Sequence, residues 1–389
     1  MKQKAWPSPL QLYRFFQTAG LGAFSAFVPL LLVERGLSVS QIGILTALLT
    51  LMALGVAPVW ASLADALGRT KPFLIQATGI WLLSAFVLPH LFRFTQFLWV
   101  QTVLALFTPP AEGLLVAAVF QADPTQDRGA AYSAFALWGS LGWALGMASA
   151  GWIVNRTGTA SAFYYGGALL GIALLCALRL REPEKKRVGL PELKLQGAVT
   201  LLKDRNLRLF LLTLLPSALA LNAAARFFPV RLTQAGGSAL LVGLVYAVPA
   251  LLEVPVFLGL RRIAPCLGQR RPLLLWSTAV YAILGFLLAL LSQPGGLFWS
   301  YAFLAPLAWA PFITGSTALI AKLVPSQQWV TGQTLFTLWL WSVGGALGPL
   351  VAGFLGEALG LASLFVVLGA WHALSFLLLL GWRQEPVGR

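Results

Sequence analysis

VSQIGILTALLTLMALGVAPVWASLA, Val39 to Ala64, runs twenty-six residues without one ionisable side chain. A helix needs roughly 20 apolar residues to cross the hydrocarbon of a bilayer, so this stretch reads as one complete crossing. It ends at Asp65 and the polar turn Leu67-Gly68-Arg69-Thr70-Lys71-Pro72. At an offset of 200 residues stands Leu267-Gly268-Gln269-Arg270-Arg271-Pro272. Phe27-Val28-Pro29 and Phe227-Phe228-Pro229 keep the same offset, as do Gly36 with Gly236 and Gly43 with Gly243. Gly142-Trp143-Ala144-Leu145-Gly146 resembles Gly344-Gly345-Ala346-Leu347-Gly348 at an offset of 202. A near-constant offset through several apolar runs is an internal duplication.

The same reading extends along the chain. Apolar runs long enough to span lie near 9–33, 39–64, 73–91, 96–120, 130–153, 160–180, 207–231, 238–260, 272–292, 297–321, 330–354 and 361–382. The expected fold is all-α and membrane-embedded, with twelve transmembrane helices in two six-helix repeats. Residues 1–180 form one bundle and 207–389 the other. The charged stretch 181–206 is a water-exposed linker. Six-span halves related by an axis along the membrane normal are one transporter plan, with solute bound between them near the midplane.

Composition agrees. Of 389 residues 58% are hydrophobic and only 10% charged, against about a quarter charged in a soluble chain. The net charge of +15 is no nucleic-acid footprint, because the cations sit in short loops. With the N-terminus inside, the inner segments carry 21 Lys and Arg and the outer loops 4, which puts both termini in the cytoplasm. The first run is too long for a cleavable signal and lacks a small-residue cleavage site, so it is read as the first span. Neither Cys176 nor Cys266 has a partner at metal-ligand spacing, which implies no disulfide, zinc or redox role. No phosphate-binding loop, zinc-protease motif or nucleophile elbow occurs, so neither ATP hydrolysis nor an enzyme activity is expected.

The loop Ala61-Ser62-Leu63-Ala64-Asp65-Ala66-Leu67-Gly68-Arg69-Thr70-Lys71 resembles the gating loop of the major facilitator superfamily. Ala61 and Ala66 depart from the usual glycine and arginine; the Asp–Gly–Arg core remains. The resemblance covers nearly the whole chain and is nearest to the phenylpropionate permease and lactose permease-like branch. Gly36-Leu37-Ser38-Val39-Ser40-Gln41-Ile42-Gly43, Trp138-Gly139-Ser140-Leu141-Gly142 and Glu253-Val254-Pro255 carry it. It implies that Asp65 latches onto the N-terminal end of span eleven, with Gly68, Arg69 and Lys71 completing the turn. A plain topogenic turn is the alternative.

Ionisable groups at bilayer depth are costly and are default functional candidates. Glu112 follows Pro109-Pro110 in span four, roughly 12 Å deep at helical rise, and can hold a proton. The resemblance puts it where the lactose permease has a sugar-binding glutamate, and Trp143 where that permease stacks an indole on its sugar. The branch's span-five arginine is absent: Ala136 stands there. Arg14, about one turn into span one, can rebuild the clamp by reaching inward to Glu112, or snorkel outward to headgroups. Arg226 in span seven and Glu253 in span eight lie on the order of 15 Å apart in depth, too far for a direct pair. Arg226 is read as an anion-binding or vestibule residue, with Asn222 one turn before it, and Glu253 as a second protonation site. His372 is a packing residue or a site residue.

These features point to a secondary transporter of the cytoplasmic membrane, working as a monomer by alternating access without a cofactor or metal. Span five lacks the glycine–proline pair common in antiporters of the superfamily, which favours a symporter or uniporter, and the buried carboxylates Glu112 and Glu253 make proton-coupled symport the expectation. A sugar, a nucleoside or an aromatic acid fits the expected groups. Proton-driven efflux of sugars or drugs is the rival within transport, and a non-transporting sensor or scaffold the rival outside it.

Overall fold

The computed structural model describes residues 8–67, 69–108, 111, 115, 119, 128–180, 201–263, 271–325 and 328–382. Every regular element among them is helical: α1 (Pro9–Ser25), α2 (Val28–Glu34), α3 (Val39–Leu67), α4 (Lys71–Val87), α5 (Phe94–Phe107), α6 (Arg128–Thr157), α7 (Ala160–Leu178), α8 (Arg205–Gln234), α9 (Ala239–Ile263), α10 (Arg271–Leu290), α11 (Pro294–Leu323), α12 (Trp329–Leu338), α13 (Gly344–Leu359) and α14 (Leu361–Gly381). Ten spans among the described residues are long and apolar enough to cross a membrane. The expectation was twelve. α5 is shorter, and α6 is not among the ten although it fills the place of the expected fifth span.

Three expected spans are not single α-helices. The first breaks at Ala26–Phe27, because Pro29 enters α2 in its first turn and has no N–H for a preceding carbonyl. The fourth is interrupted at Thr108, whose extended backbone (φ −89°, ψ 103°) is what a residue before Pro109 adopts. Ala111, Leu115 and Val119 beyond it are buried at four-residue spacing. In the eleventh, a π-helical turn over Trp339–Val343 separates α12 from α13. Leu201, expected in a water-exposed linker, is buried in a hydrophobic core, and Asp204 caps α8 by accepting from the Leu207 N–H at 2.8 Å.

The chain packs as two compact units. One comprises Met1–Leu37, Leu48–Leu193 and Ser238–Ala247; the other comprises Ser38–Ala47, Lys194–Gly237 and Val248–Arg389. Each therefore takes in one short segment from the other half of the sequence. Gly36 (φ +76°) and Gly236 (φ +83°) make the matching left-handed turns before α3 and α9.

Lipid supplies no hydrophobic drive between helices, so close packing must come from small residues. In the first unit, a Cβ at Gly142 or Gly146 of α6 would run into the α1 backbone at Phe15 and Ala19. In the second, Gly344 and Gly348 of α13 meet α8 at Ala218 and Leu219 in the same way. Ala19 with Gly146 and Leu219 with Gly348 are thus one contact made twice.

Prolines free carbonyls that lipid cannot satisfy. Leu307 would bond residue 311, but Pro311 has no N–H; the Trp276 indole donates to that carbonyl instead, at 3.0 Å. Leu106, in the last turn of α5, likewise receives the Trp60 indole N–H at 2.8 Å. The two cationic turns also match. Lys71 donates to the Leu178 carbonyl at 2.7 Å, and Arg271 to Leu379 and Leu380, a cation on the C-terminal end of a helix each time.

Gly146→Leu should destabilise the purified protein by about 1–3 kcal/mol, since backbone cannot yield as a side chain does. Gly171→Leu, where an added Cβ meets nothing within 4 Å, should not. Thermal unfolding in detergent checks the pair; equal shifts would contradict the close crossing.

Candidate functional site

Arg14 and Trp143 both lie where α1 crosses α6. Arg14 turns inward to α6. Its guanidinium carbon lies 5.4 Å from the Phe135 ring centroid, and its Nη1 donates to Gln17 Oε1 at 3.4 Å. A Cβ at Gly139 would stand 2.6 Å from Arg14 Nε, so the side chain lies across that glycine. Trp143 rests on α1 in return: a Cβ at Gly22 would come within 2.9 Å of the Trp143 carbonyl and 3.4 Å of its ring. Each candidate thus packs on a glycine of the opposite helix.

Trp143 is 36% exposed, while Gly142 before it is buried against α1. Further along α6, Gly151 abuts Ala239 and Gly243 of the short Ser238–Ala247 segment. Gly139 and Trp143 are four residues apart, so they share the flank between those two packed faces, about 6 Å apart along the axis. A cation and an aromatic face side by side can bind a ring that carries polar oxygens on its rim.

The other candidates stand elsewhere. Glu112 and Gly68 lie outside the described residues, as does the side chain of Asp65, so the expected latch is not seen. Arg69 is exposed, and its backbone N–H donates to Ala64 at 3.3 Å. Asn222 engages both amide N–H groups, on the Ala218 and Leu340 carbonyls at 2.9 Å each, and so pins the π-helical turn to α8. π-turns often mark functional places. Arg226 is half-buried one turn further along α8. Glu253 is half-buried on α9, within Coulombic reach of Tyr301 and Tyr281.

His372 is enclosed where α8, α10 and α14 meet. It is 4% exposed, its Nδ1 lies 3.0 Å from Ser217 Oγ, and its ring stacks on Tyr281 with centroids 4.8 Å apart. The Ser217 N–H donates to Ser375 Oγ at 3.0 Å. Among the described residues no group of three His, Cys, Asp or Glu is placed to hold a metal.

Sequence reasoning missed Gln17 and Gly139. Gln17 is 1% exposed and sits three residues after Arg14, a spacing that puts the two on one helix face. Gly139 entered the sequence reading only within the segment Trp138–Gly142 that carries the family resemblance, with no role of its own.

The model of the MFS_1 like family matches residues 9–367. A maltose permease of Geobacillus stearothermophilus is 27% identical over 380 residues, covering 94% of this chain and 93% of the permease. An uncharacterized transporter, YwbF, of Bacillus subtilis (strain 168) is 21% identical, covering 88% and 84%. The crystal structure of the nucleoside transporter NupG superposes with a TM-score of 0.84 at 17% identity, over 97% of this chain and 99% of that one. A bacterial homolog of the human lysosomal transporter Spinster, in an inward-facing and unoccupied conformation, gives 0.73 at 14% identity, over 97% and 98%.

His372→Leu removes the partner of Ser217 and should lower stability by about 1–3 kcal/mol. Uptake by the surviving folded protein should keep its KM. A changed KM at unchanged thermal stability would give His372 a role in binding.

Proposed function

This chain belongs to the MFS_1 like family of major facilitator superfamily transporters, and on that premise we propose that it carries a solute bearing a sugar ring, a disaccharide or a nucleoside, by proton-coupled symport. The carrying observation is the Arg14 guanidinium and the Trp143 indole on one flank of α6. A guanidinium fork donates two parallel N–H groups to a pair of neighbouring hydroxyls. An indole face covers the apolar face of the same ring. Two proteins similar to this chain, a maltose permease and a nucleoside transporter, are named for solutes that share that ring chemistry.

The rest of the proposal follows the sequence. Twelve spans form two six-helix bundles over 1–180 and 207–389, joined by 181–206, in the cytoplasmic membrane with both termini inside, and the protein works as a monomer. Glu112 and Glu253 are the proton carriers, since a carboxylate in hydrocarbon exchanges its charge for a proton at modest cost. Arg226 and Asn222 of α8 are further substrate-binding or proton-coupling candidates. Asp65, Gly68, Arg69 and Lys71 form the gating turn.

Proteoliposomes with an alkaline interior should accumulate labelled maltose or uridine, and dissipating the gradient should stop it. Trp143→Ala should lower uptake at limiting solute about tenfold, and Trp143→Phe less, because a smaller ring keeps part of the stacking surface. Accumulation of phenylpropionate with neither sugar-ring solute would contradict the proposal.

A further inference from the structure

We infer that Gly139 is a specificity-determining residue: by carrying no side chain, it admits the Arg14 guanidinium onto the α6 flank that carries Trp143 and makes Arg14 the oxygen-binding group of that flank. This deepens the transport reading above and rests on it.

Gly139 differs from the other glycines of α6. At Gly142 and Gly146 an added Cβ meets α1 backbone, so those two positions hold the helices together. At Gly139 all three nearest atoms belong to one side chain: Arg14 Nε at 2.6 Å, with Cζ and Nη2 at 3.3 Å each. A side chain at 139 therefore leaves the crossing intact and moves the guanidinium. Geometry separates the two tasks along one helix, packing at two glycines and placement of a cation at the third.

The guanidinium is oriented as well as admitted. Its Cζ lies over the ring of Phe135, one turn before Gly139, at 5.4 Å from the centroid, and Gln17 accepts from Nη1. Gln17 is buried to 1% exposure. A planar fork held at one edge and placed over a ring presents its N–H groups in a set direction, which matters for recognising paired oxygens. Lysine would supply charge at the same place without that geometry. Ala136, on the flank of α6 next to the notch, is too small to provide a cation itself. The recognition group of this flank thus comes from α1, through the gap that glycine leaves in α6.

The test separates placement of the cation from transport. Cys176→Ser and Cys266→Ser remove the native thiols, and Ala136→Cys puts one beside the notch. An anionic methanethiosulfonate should label it about fivefold faster than the trimethylammonium reagent, as a neighbouring cation draws the anion in. That preference should vanish in Arg14→Ala and equally in Gly139→Ala, and should persist in Arg14→Lys. In proteoliposomes without Ala136→Cys, Gly139→Ala should raise the KM for maltose or uridine about tenfold with unchanged thermal stability. Arg14→Ala and Arg14→Lys should do the same, and the Arg14→Ala, Gly139→Ala pair should be no worse than Arg14→Ala alone. A thiol that neither reagent labels, a preference that survives Gly139→Ala, or additive losses in the pair would overturn the inference. A preference that behaves as expected in a protein that takes up neither solute supports the notch and overturns the sugar-ring reading instead.

Discussion

The crossing of α1 on α6 is the contact on which the site depends. It is close because Gly142 and Gly146 present bare backbone to Phe15 and Ala19. A wider crossing would leave Arg14 short of Gly139 and lift Trp143 off Gly22. α1 is tight on its other side as well, where Gly20 and Gly166 of α7 each come within 3 Å of the other's carbonyl once a Cβ is added. In hydrocarbon such packing is what holds helices together, since lipid tails are as apolar as leucine. The recurrence of the contact at Gly348 and Leu219 shows the duplication working as structure: both units seat a first helix against a glycine-faced fifth.

The second constraint is the backbone. A proline inside a buried helix strands the carbonyl four residues before it, and lipid offers no water to repair the loss. Trp276 on Leu307 is such a repair, and Trp60 on Leu106 satisfies a carbonyl in the last turn of α5 in the same way. They give two of the 15 tryptophans a task that neither an interfacial belt nor solute stacking describes. Asn222 does similar work at the π-helical turn, where its two N–H groups reach carbonyls of two helices. The same chemistry holds Ser40 to Glu357: the carboxylate accepts the Ser40 N–H at 2.9 Å and caps the start of α3.

Much of this was legible in the sequence, for identifiable reasons. Span length follows from bilayer thickness, so uninterrupted apolar runs such as Val39–Ala64 declare themselves. The 200-residue offset announced the duplication, and Lys71 and Arg271 turn out to dock alike. Breaks were harder. Pro29 and Pro229 occupy matching places, yet the first separates α1 from α2 while α8 runs through the second. The π-helical turn has no proline or glycine at its start to betray it. Arg14 was legible as a candidate but not in direction, because an arginine one turn into a membrane can reach either way. Only the gap at Gly139, across a neighbouring helix and 125 positions away in sequence, decides it.

The central claim is that solute binds on the α6 flank between Gly139 and Trp143. Ser140 is exposed there and takes no part in the packing of α1. The most direct measurement is the alkylation rate of the thiol introduced by Ser140→Cys, with Cys176→Ser and Cys266→Ser, in the presence and absence of saturating maltose or uridine. The account predicts marked slowing by a solute that the protein transports. An unchanged rate under a transported solute would place binding elsewhere and contradict it.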